Sequence, residues 1–355
     1  MKQQKEEPSG SSFLFQTMIN FDSDRQARNR DSWSRYWAKS PAHSLHGTFD
    51  ADYGPAISGF WKNVCSHAAA GSSVLDIATG NGALPRMMLN WRNDLRIDAI
   101  DAADVAIHWQ IPQGGARPTF HSRVECEALP FHDNSFDLVT SQYGIEYSDL
   151  DRSLAEIART LREGGMFAAI MHSADSTITS VTGEELGHVK LLLAEGGAME
   201  TLMAIIPLLS IAATAAGREQ LDADAGARTI RERFNTAMGE VQASMVRASV
   251  PDILVEFLQW APQVLAIASQ RASPDDALRH CLEYKQQLED AGERYRALLD
   301  ATLDAGKQQH LINELAGLGF RTMGFNALEH DGRCLGIALT ATLGLDGGAD
   351  LARKM

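Results

Sequence analysis

Apolar positions along the chain follow three successive regimes. From Ser72 to Ser173, short aliphatic runs alternate with longer amphipathic ones. "SVLDIA", "RIDAID", "TFHSRVE", "FDLVTSQ" and "GMFAAIMHS" have the length and β-branched content of strands, while "ALPRMMLNW", "VAIHWQI" and "LAEIARTLRE" repeat at helical spacing. Alternation of this kind predicts a parallel sheet with helices on both faces. From Gly183 to about Leu303 only helical periodicity remains, in "EELGHVKLLLAEG", "METLMAIIPLLSIAATAA", "ARTIRERFNTAMGEVQASMVRA" and "PDILVEFLQWAPQVLAIAS". Pro251 suits a helix start and Pro262 predicts an interruption. A last long helix opens at the capping sequence Ser273-Pro274-Asp275-Asp276, with Leu278, Cys281, Leu282, Leu288, Ala291, Tyr295, Leu298 and Leu299 on one face. After Gly319 the strand pattern returns as "RTMGFNAL" and "CLGIALTATL", joined through Asp331-Gly332, a strong hairpin turn.

Ahead of the first strand lies a polar helix over Ser23–Lys39 that carries Trp33, Tyr36 and Trp37, preceded by a loose tail. These aromatics either anchor the helix on the core or roof a ligand pocket, and the two roles are compatible.

Composition narrows the function classes. The 355 residues are 45% hydrophobic and 22% charged, enough for one large core or two modest ones. A formal charge of −14 argues against a nucleic-acid partner, because phosphate recognition needs a basic surface. No uninterrupted apolar run approaches the roughly 20 residues of a membrane span, so no membrane partner is expected. Cys65, Cys126, Cys281 and Cys334 are widely spaced and form no CxxC pair, which points to a reduced, cytoplasmic setting without zinc or disulfides. No HExxH motif or carboxylate cluster suggests any other metal.

The chemistry concentrates in "VLDIATGNGAL", Val74 to Leu84, a strand that turns tightly into a helix. A P-loop is excluded because Gly82 is followed by Ala83-Leu84-Pro85 rather than by Lys and a hydroxyl residue. A dinucleotide site would need a third glycine at Pro85, which weakens the case for a nicotinamide oxidoreductase. Asp76, four residues before Gly80, would repel a pyrophosphate and favour a cation. S-adenosylmethionine, with its sulfonium and ammonium and no phosphate, fits best.

This loop resembles the first motif of class I S-adenosylmethionine-dependent methyltransferases: an acidic residue, three small-to-medium residues, then GxG. Ala78 stands where the family often has glycine. Three further matches follow in order. Asp101 closes the second strand, where the family's acidic residue bonds both ribose hydroxyls, with Ala102 beside it. "VECEALPFHDNSFDLVTSQYG" resembles the stretch whose acidic residue and following backbone meet the adenine amino edge, which assigns Glu125 and Cys126, with Glu127 as the alternative acid. "LREGGMFAAIMHS" resembles the family's helix end, Gly-Gly turn and fifth strand. The resemblance covers residues 72 to 173 and the closing hairpin, and leaves the helical block unmatched.

The resemblance implies an α/β fold: a doubly wound, seven-stranded Rossmann-like methyltransferase sheet with an antiparallel last strand and a large helical insertion between strands five and six. The implied partition is a flexible tail (1–22), an N-terminal helical segment covering the cofactor site (23–70), a core (71–176 and 306–355) and a helical lid or acceptor-binding insertion (177–305). S-adenosyl-L-methionine is the implied cofactor, held by Asp76, Ala78, Thr79, Gly80, Gly82, Asp101, Ala102, Glu125, Cys126, Ser141 and Gln142. At the carboxyl ends of strands four and five stand Tyr143, Glu146 and His172 as catalytic candidates. Glu146 reads as a base, as a site for a cationic acceptor, or as a helix cap, and His172 as a base or as a packed, hydrogen-bonded histidine. The apolar insertion implies a small apolar or aromatic methyl acceptor, and equally a homodimer interface. The rival reading is a cofactor-binding regulatory or structural homologue that transfers no methyl group.

Overall fold

The computed structural model describes residues 10–39, 54–110, 115–269 and 274–344. Helices α1 (Gly10–Lys39) and α2 (Pro55–His67) precede β1 (Ser73–Ile77), α3 (Ala83–Trp91), β2 (Arg96–Asp101), β3 (Thr119–Ser122) and β4 (Phe136–Gln142). A single 3-10 turn, Ile145–Tyr147, leads to α4 (Leu150–Thr160) and β5 (Leu161–Met171). Six helices follow: α5 (Thr177–Leu193), α6 (Ala198–Ala212), α7 (Ala215–Ala223), α8 (Ala225–Arg247), α9 (Asp252–Ser269) and α10 (Pro274–Ala301). The chain closes with α11 (Ala305–Gly317), β6 (Phe320–His330) and β7 (Arg333–Leu343).

The seven strands form one sheet in the order β3-β2-β1-β4-β5-β7-β6. β1 pairs in parallel with β2 and β4, β2 with β3, and β4 with β5. The two-residue turn at Asp331-Gly332 makes the neighbouring strands β6 and β7 antiparallel. Val74, Leu75 and Ile77 of β1 are all buried, as are Leu138 and Val139 of β4. Continuous apolar runs rather than alternation are what a parallel sheet covered on both faces requires. The strand order reverses at β1 and β4, and the carboxyl ends of those two strands diverge there. In open α/β sheets that crevice is where ligands bind.

The described residues fold as two compact units, one made of those up to Met171 with Gln309–Asn326 and the end of β7, the other of His172–Gln308 with the hairpin tip Ala327–Ile337. The second unit has its own core. Leu192, Leu202 and Ile206 of α5 and α6 meet Leu254, Phe257 and Val264 of α9 and Cys281, Tyr284 and Leu288 of α10. Trp260 stacks on Tyr284 with ring centroids 4.1 Å apart. Thr177–Ala212 is, among the described residues, the segment long and apolar enough to cross a membrane by length and composition. It comprises α5 and α6, separate helices that supply much of this core.

Five local expectations are corrected. α1 begins at Gly10 rather than Ser23, since no proline or glycine interrupts the chain between Ser11 and Lys39; the first nine residues of the expected tail lie outside the described residues. No helix forms over the described part of "VAIHWQI" (105–110). Its amides are claimed by side chains instead: Val105 N–H donates to Ser122 Oγ at 3.1 Å and Ala106 N–H to Asn81 Oδ1 at 2.9 Å. α9 runs unbroken through Pro262. A proline inside a helix costs about 3 kcal/mol, and burial of Ile253, Leu254 and Phe257 before it and Val264 after it outweighs that, at roughly 1.5–3 kcal/mol each. Leu282 of α10 is 55% exposed, off the packed face expected for it, while Ser273 of the expected cap lies outside the described residues. α11 is a further helix that the sequence pattern did not announce.

Candidate functional site

A cavity of about 630 Å³ opens at the carboxyl ends of β1, β2 and β4. Its floor is the turn after β1. Thr79 N–H donates to the Ile100 carbonyl at 2.9 Å, and Gly80 N–H donates to Asp101 Oδ2 at 2.8 Å, so the turn is pinned to β2. Gly80 has φ +52°, and a Cβ there would stand 2.5 Å from the Trp37 ring. Gly82 has φ +78°, and its Cβ would stand 2.8 Å from Phe120. Conformation and space both demand glycine at these two positions. Ala78 adopts φ +55° despite its methyl group.

Asp101 is the cavity's principal acid. Its Oδ1 accepts the Ala103 N–H at 2.8 Å while Oδ2 holds Gly80. Burial pushes its carboxyl up to about 6; the two amide bonds work against that shift, and the charge of Glu125 adds to it. Asp76 is buried behind the turn, where its Oδ1 accepts from Thr140 Oγ1 at 2.8 Å. Burial pushes it up to about 7, opposed by the neighbouring hydroxyls of Thr79 and Thr140 and reinforced by the charge of Asp101. A cationic ligand would favour the ionised form of both acids. The residues therefore suit S-adenosylmethionine, whose sulfonium and ammonium bring positive charge and whose nucleoside brings the donors that Asp101 and Glu125 can accept.

Helix α1 forms one wall, contributing Gln26, Asn29, Arg30, Trp33 and Trp37. Their spacing of about three and four places them on a single helical face. Trp33 and Trp37 stack at 5.6 Å between centroids, and Trp33 meets Tyr147 edge-on at 6.2 Å. The wall is tied down by Arg30 Nη1 donating to Glu125 Oε1 at 3.3 Å, by Asn81 Nδ2 donating to the Trp37 carbonyl at 3.0 Å, and by Asp104 N–H donating to Ser34 Oγ at 3.0 Å. Trp33 and Trp37 thus line the cavity while Tyr36 is outside its lining, and Trp37 is also part of the core.

Of the residues expected from sequence, the cavity brings together Ala78, Thr79, Gly80, Asp101, Ala102, Glu125, Cys126, Gln142 and Tyr143. Asp76, Gly82, Ser141, Glu146 and His172 are outside its lining. Ser141 is a staple: its Oγ donates to the Ile77 carbonyl and accepts the Ile145 N–H, each at 3.0 Å. Gly82 begins α3 against Phe120. Glu146 and His172 are buried. Sequence reasoning missed Asn29, Arg30 and Arg152; the first two carry a legible signal, since they share the helical face of Trp33 and Trp37.

Two lining groups are held neutral. Burial and the neighbouring Glu127 push the Cys126 thiol up to about 12. The Tyr147 phenol is raised by burial and by the charge of Glu146. Neither serves as a nucleophile or base near neutrality, so the lining is equipped mainly to position and enclose a ligand. Asp151, His310 and Glu314 bring three possible metal-ligand atoms within 4.8 Å, yet none of them lines the cavity, and an ion pair of 2.8 Å between His310 and Asp151 accounts for their arrangement.

Residues 75–169 match the family model for a methyltransferase domain. The chain is similar to a ubiquinone/menaquinone biosynthesis C-methyltransferase of Hahella chejuensis, 33% identical over 122 residues that cover 32% of this chain and 49% of the relative. It is also similar to an uncharacterized methyltransferase of Bacillus subtilis, at 31% identity over 28% of this chain and 41% of that one. The chain thus spans about half the length, or less, of these curated relatives. Among solved structures, a SAM-dependent methyltransferase of Methanosarcina mazei aligns over 83% of this chain and 100% of its own, with 13% identity and a TM-score of 0.36. The matched segment contains the pinned glycine turn, Asp101, Glu125 and the whole of β4, and the chain therefore carries a class I S-adenosylmethionine-dependent methyltransferase domain.

Proposed function

We propose that the protein moves a methyl group from S-adenosylmethionine to a small apolar or aromatic acceptor. The observation that carries this reading is the cavity in which the strained turn Ala78-Thr79-Gly80 converges with Asp101 and Glu125 at the sheet's switch point. Asp101 and Glu125 would accept the ribose hydroxyls and adenine amino group, while the Trp33 and Trp37 wall encloses the ligand. When bound, the cofactor supplies a methyl carbon already activated by its sulfonium. The chain's task is then to hold an acceptor in line and exclude water, which contributes through proximity and desolvation. Of the catalytic candidates, Tyr143 lines the cavity and would pack against the acceptor.

Similarity to enzymes named for quinone biosynthesis supports a ring-bearing acceptor. The helical unit, with its separate apolar core, is the part of the chain we assign to acceptor selection, with pairing of two copies as its second role. Incubating the purified full chain with methyl-labelled S-adenosylmethionine and a fractionated metabolite extract tests the reading. Label recovered in an apolar aromatic fraction is expected. Failure of the wild-type protein to bind S-adenosylhomocysteine in calorimetry would overturn it.

A further inference from the structure

Asn81 stands between Gly80 and Gly82 in the turn after β1 and is 2% exposed. Ala78, Gly80 and Gly82 adopt the left-handed region and Asn81 does not, so its backbone conformation makes no demand for asparagine. The side chain has a different task. Its Oδ1 accepts the Ala106 N–H at 2.9 Å, and its Nδ2 donates to the Trp37 carbonyl at 3.0 Å. An amide N–H can only donate and a carbonyl can only accept, so these two partners fix the orientation of the fork. The Asn81 carbonyl in turn accepts the Trp109 indole Nε1–H at 2.9 Å.

These bonds reach two different walls of the cavity. The Trp37 carbonyl lies in the last turn of α1, where helix carbonyls have no partner within the helix, and Asn81 supplies one. Ala106 and Trp109 belong to the irregular segment after β2, whose first residues, Ala102 and Ala103, line the cavity. A ligand held by Asp101 is thus bordered by Trp33 and Trp37 of α1 and by the start of this segment. Other ties of α1 are exposed. The ion pairs Arg30–Glu125 at 3.3 Å and Arg123–Asp31 at 3.4 Å join side chains that are 36–53% exposed, and such pairs contribute little and fade with salt. The Asn81–Trp37 bond is buried, where loss of one partner strands the other without water. We infer that Asn81 is a positioning residue that clasps α1 to the segment 103–109, so that the two walls close on the cofactor as one and set how slowly it leaves.

This deepens the methyltransferase reading and rests on it. S-adenosylhomocysteine is the probe, and stopped-flow tryptophan fluorescence of the full chain follows it, because Trp33 and Trp37 line the cavity. Asn81→Asp keeps an acceptor for the Ala106 N–H and loses the donor to the Trp37 carbonyl. It should speed dissociation about tenfold to a hundredfold, the range for stranding one buried polar group, and leave association within about threefold. Two wild-type measurements test the clasp even where that variant does not fold. Raising NaCl from about 50 to about 500 mM should change the dissociation rate by less than about twofold, since the clasp is uncharged. In hydrogen exchange, the ligand should protect the amides of 34–39 and of 105–109 together. A merely structural asparagine would lower the urea midpoint in Asn81→Asp and leave both rate constants of the folded fraction unchanged, which would overturn the inference. A wild-type dissociation rate that rises about tenfold with salt would overturn it too, by assigning closure to the ion pairs, as would protection of one segment without the other. A wild type that binds no S-adenosylhomocysteine removes the cofactor reading and this inference together, whereas binding with any of the three contrary results removes the inference alone.

Discussion

Ala78 and Gly144 form a steric pair at the mouth of the cavity, and exchanging their side chains tests how the turn tolerates an alanine. A Cβ built on Gly144 would lie 2.3 Å from the Ala78 Cβ, whereas carbon atoms in contact prefer about 3.5–4.0 Å. Only one of the two positions can carry a methyl group. Gly144 has φ −146°, so its backbone imposes no left-handed strain and the clash with Ala78 is the main penalty. Gly144→Ala should therefore destabilise by about 1–3 kcal/mol, the usual range for overpacking a tight contact. Ala78→Gly removes an alanine from φ +55°, a gain of about 1–2 kcal/mol. It also adds glycine's conformational entropy to the unfolded chain, which costs about 0.5–1 kcal/mol. The single variant should thus be near neutral. The double variant Ala78→Gly/Gly144→Ala should recover most of the loss, with a coupling of about 1–3 kcal/mol between the sites. Urea denaturation followed by circular dichroism gives the stabilities, and calorimetry with S-adenosylhomocysteine gives a second readout at the cavity. If Gly144→Ala is as stable as wild type, or if Ala78→Gly fails to rescue it, the steric argument is wrong.

Asp101→Ala should weaken S-adenosylhomocysteine by about 2–4 kcal/mol, the contribution of a pair of charge-assisted hydrogen bonds, and an unchanged affinity in a folded variant would exclude Asp101 from the ribose site. Asp76 is raised to about 7 from 3.8, so the folded, ligand-free protein retains a proton that the unfolded chain has released. Its contribution to stability is complete below the unfolded pKa and is lost as pH rises from about 4 to about 7, by at most about 4 kcal/mol at 1.36 kcal/mol per pH unit. Asp76→Asn should flatten that slope in melting curves recorded across the window, and an unaltered slope would refute the burial argument. Replacing 177–305 by a short Gly-Ser linker should preserve S-adenosylhomocysteine binding and abolish methyl transfer. The join is short because Ala174 N–H donates to the Leu303 carbonyl at 3.1 Å, and methyl transfer retained on the acceptor identified for the wild type would remove the insertion from acceptor selection.

Much of the fold was legible because its signals are local. β4 occupies the seven residues of "FDLVTSQ", a run whose β-branched and apolar side chains bury on both faces, and the turn at Asp331-Gly332 is dictated by residues that tolerate positive φ. The failures are non-local. "VAIHWQI" has helical spacing, but Asn81 and Ser122, each more than fifteen positions away in sequence, take the amides a helix would have used. Pro262 reads as a break until the apolar residues on both sides of it are seen to enter one core.

The candidate site divides along the same line. The sequence assigns Asp76 to the ligand because a carboxylate four residues before Gly80 would stand near a bound cation. In the folded chain its Oδ1 accepts from Thr140, outside the cavity lining, and the charge of Asp101 adds to the rise of its carboxyl. Gln142 could be placed at the strand end by pattern alone, yet the orientation of its amide depends on an indole 81 positions earlier in the chain. A hydrogen-bond donor becomes specific when a second group removes its rotational freedom. Residue types in a motif locate the donor; only packing between distant elements decides which atom it offers.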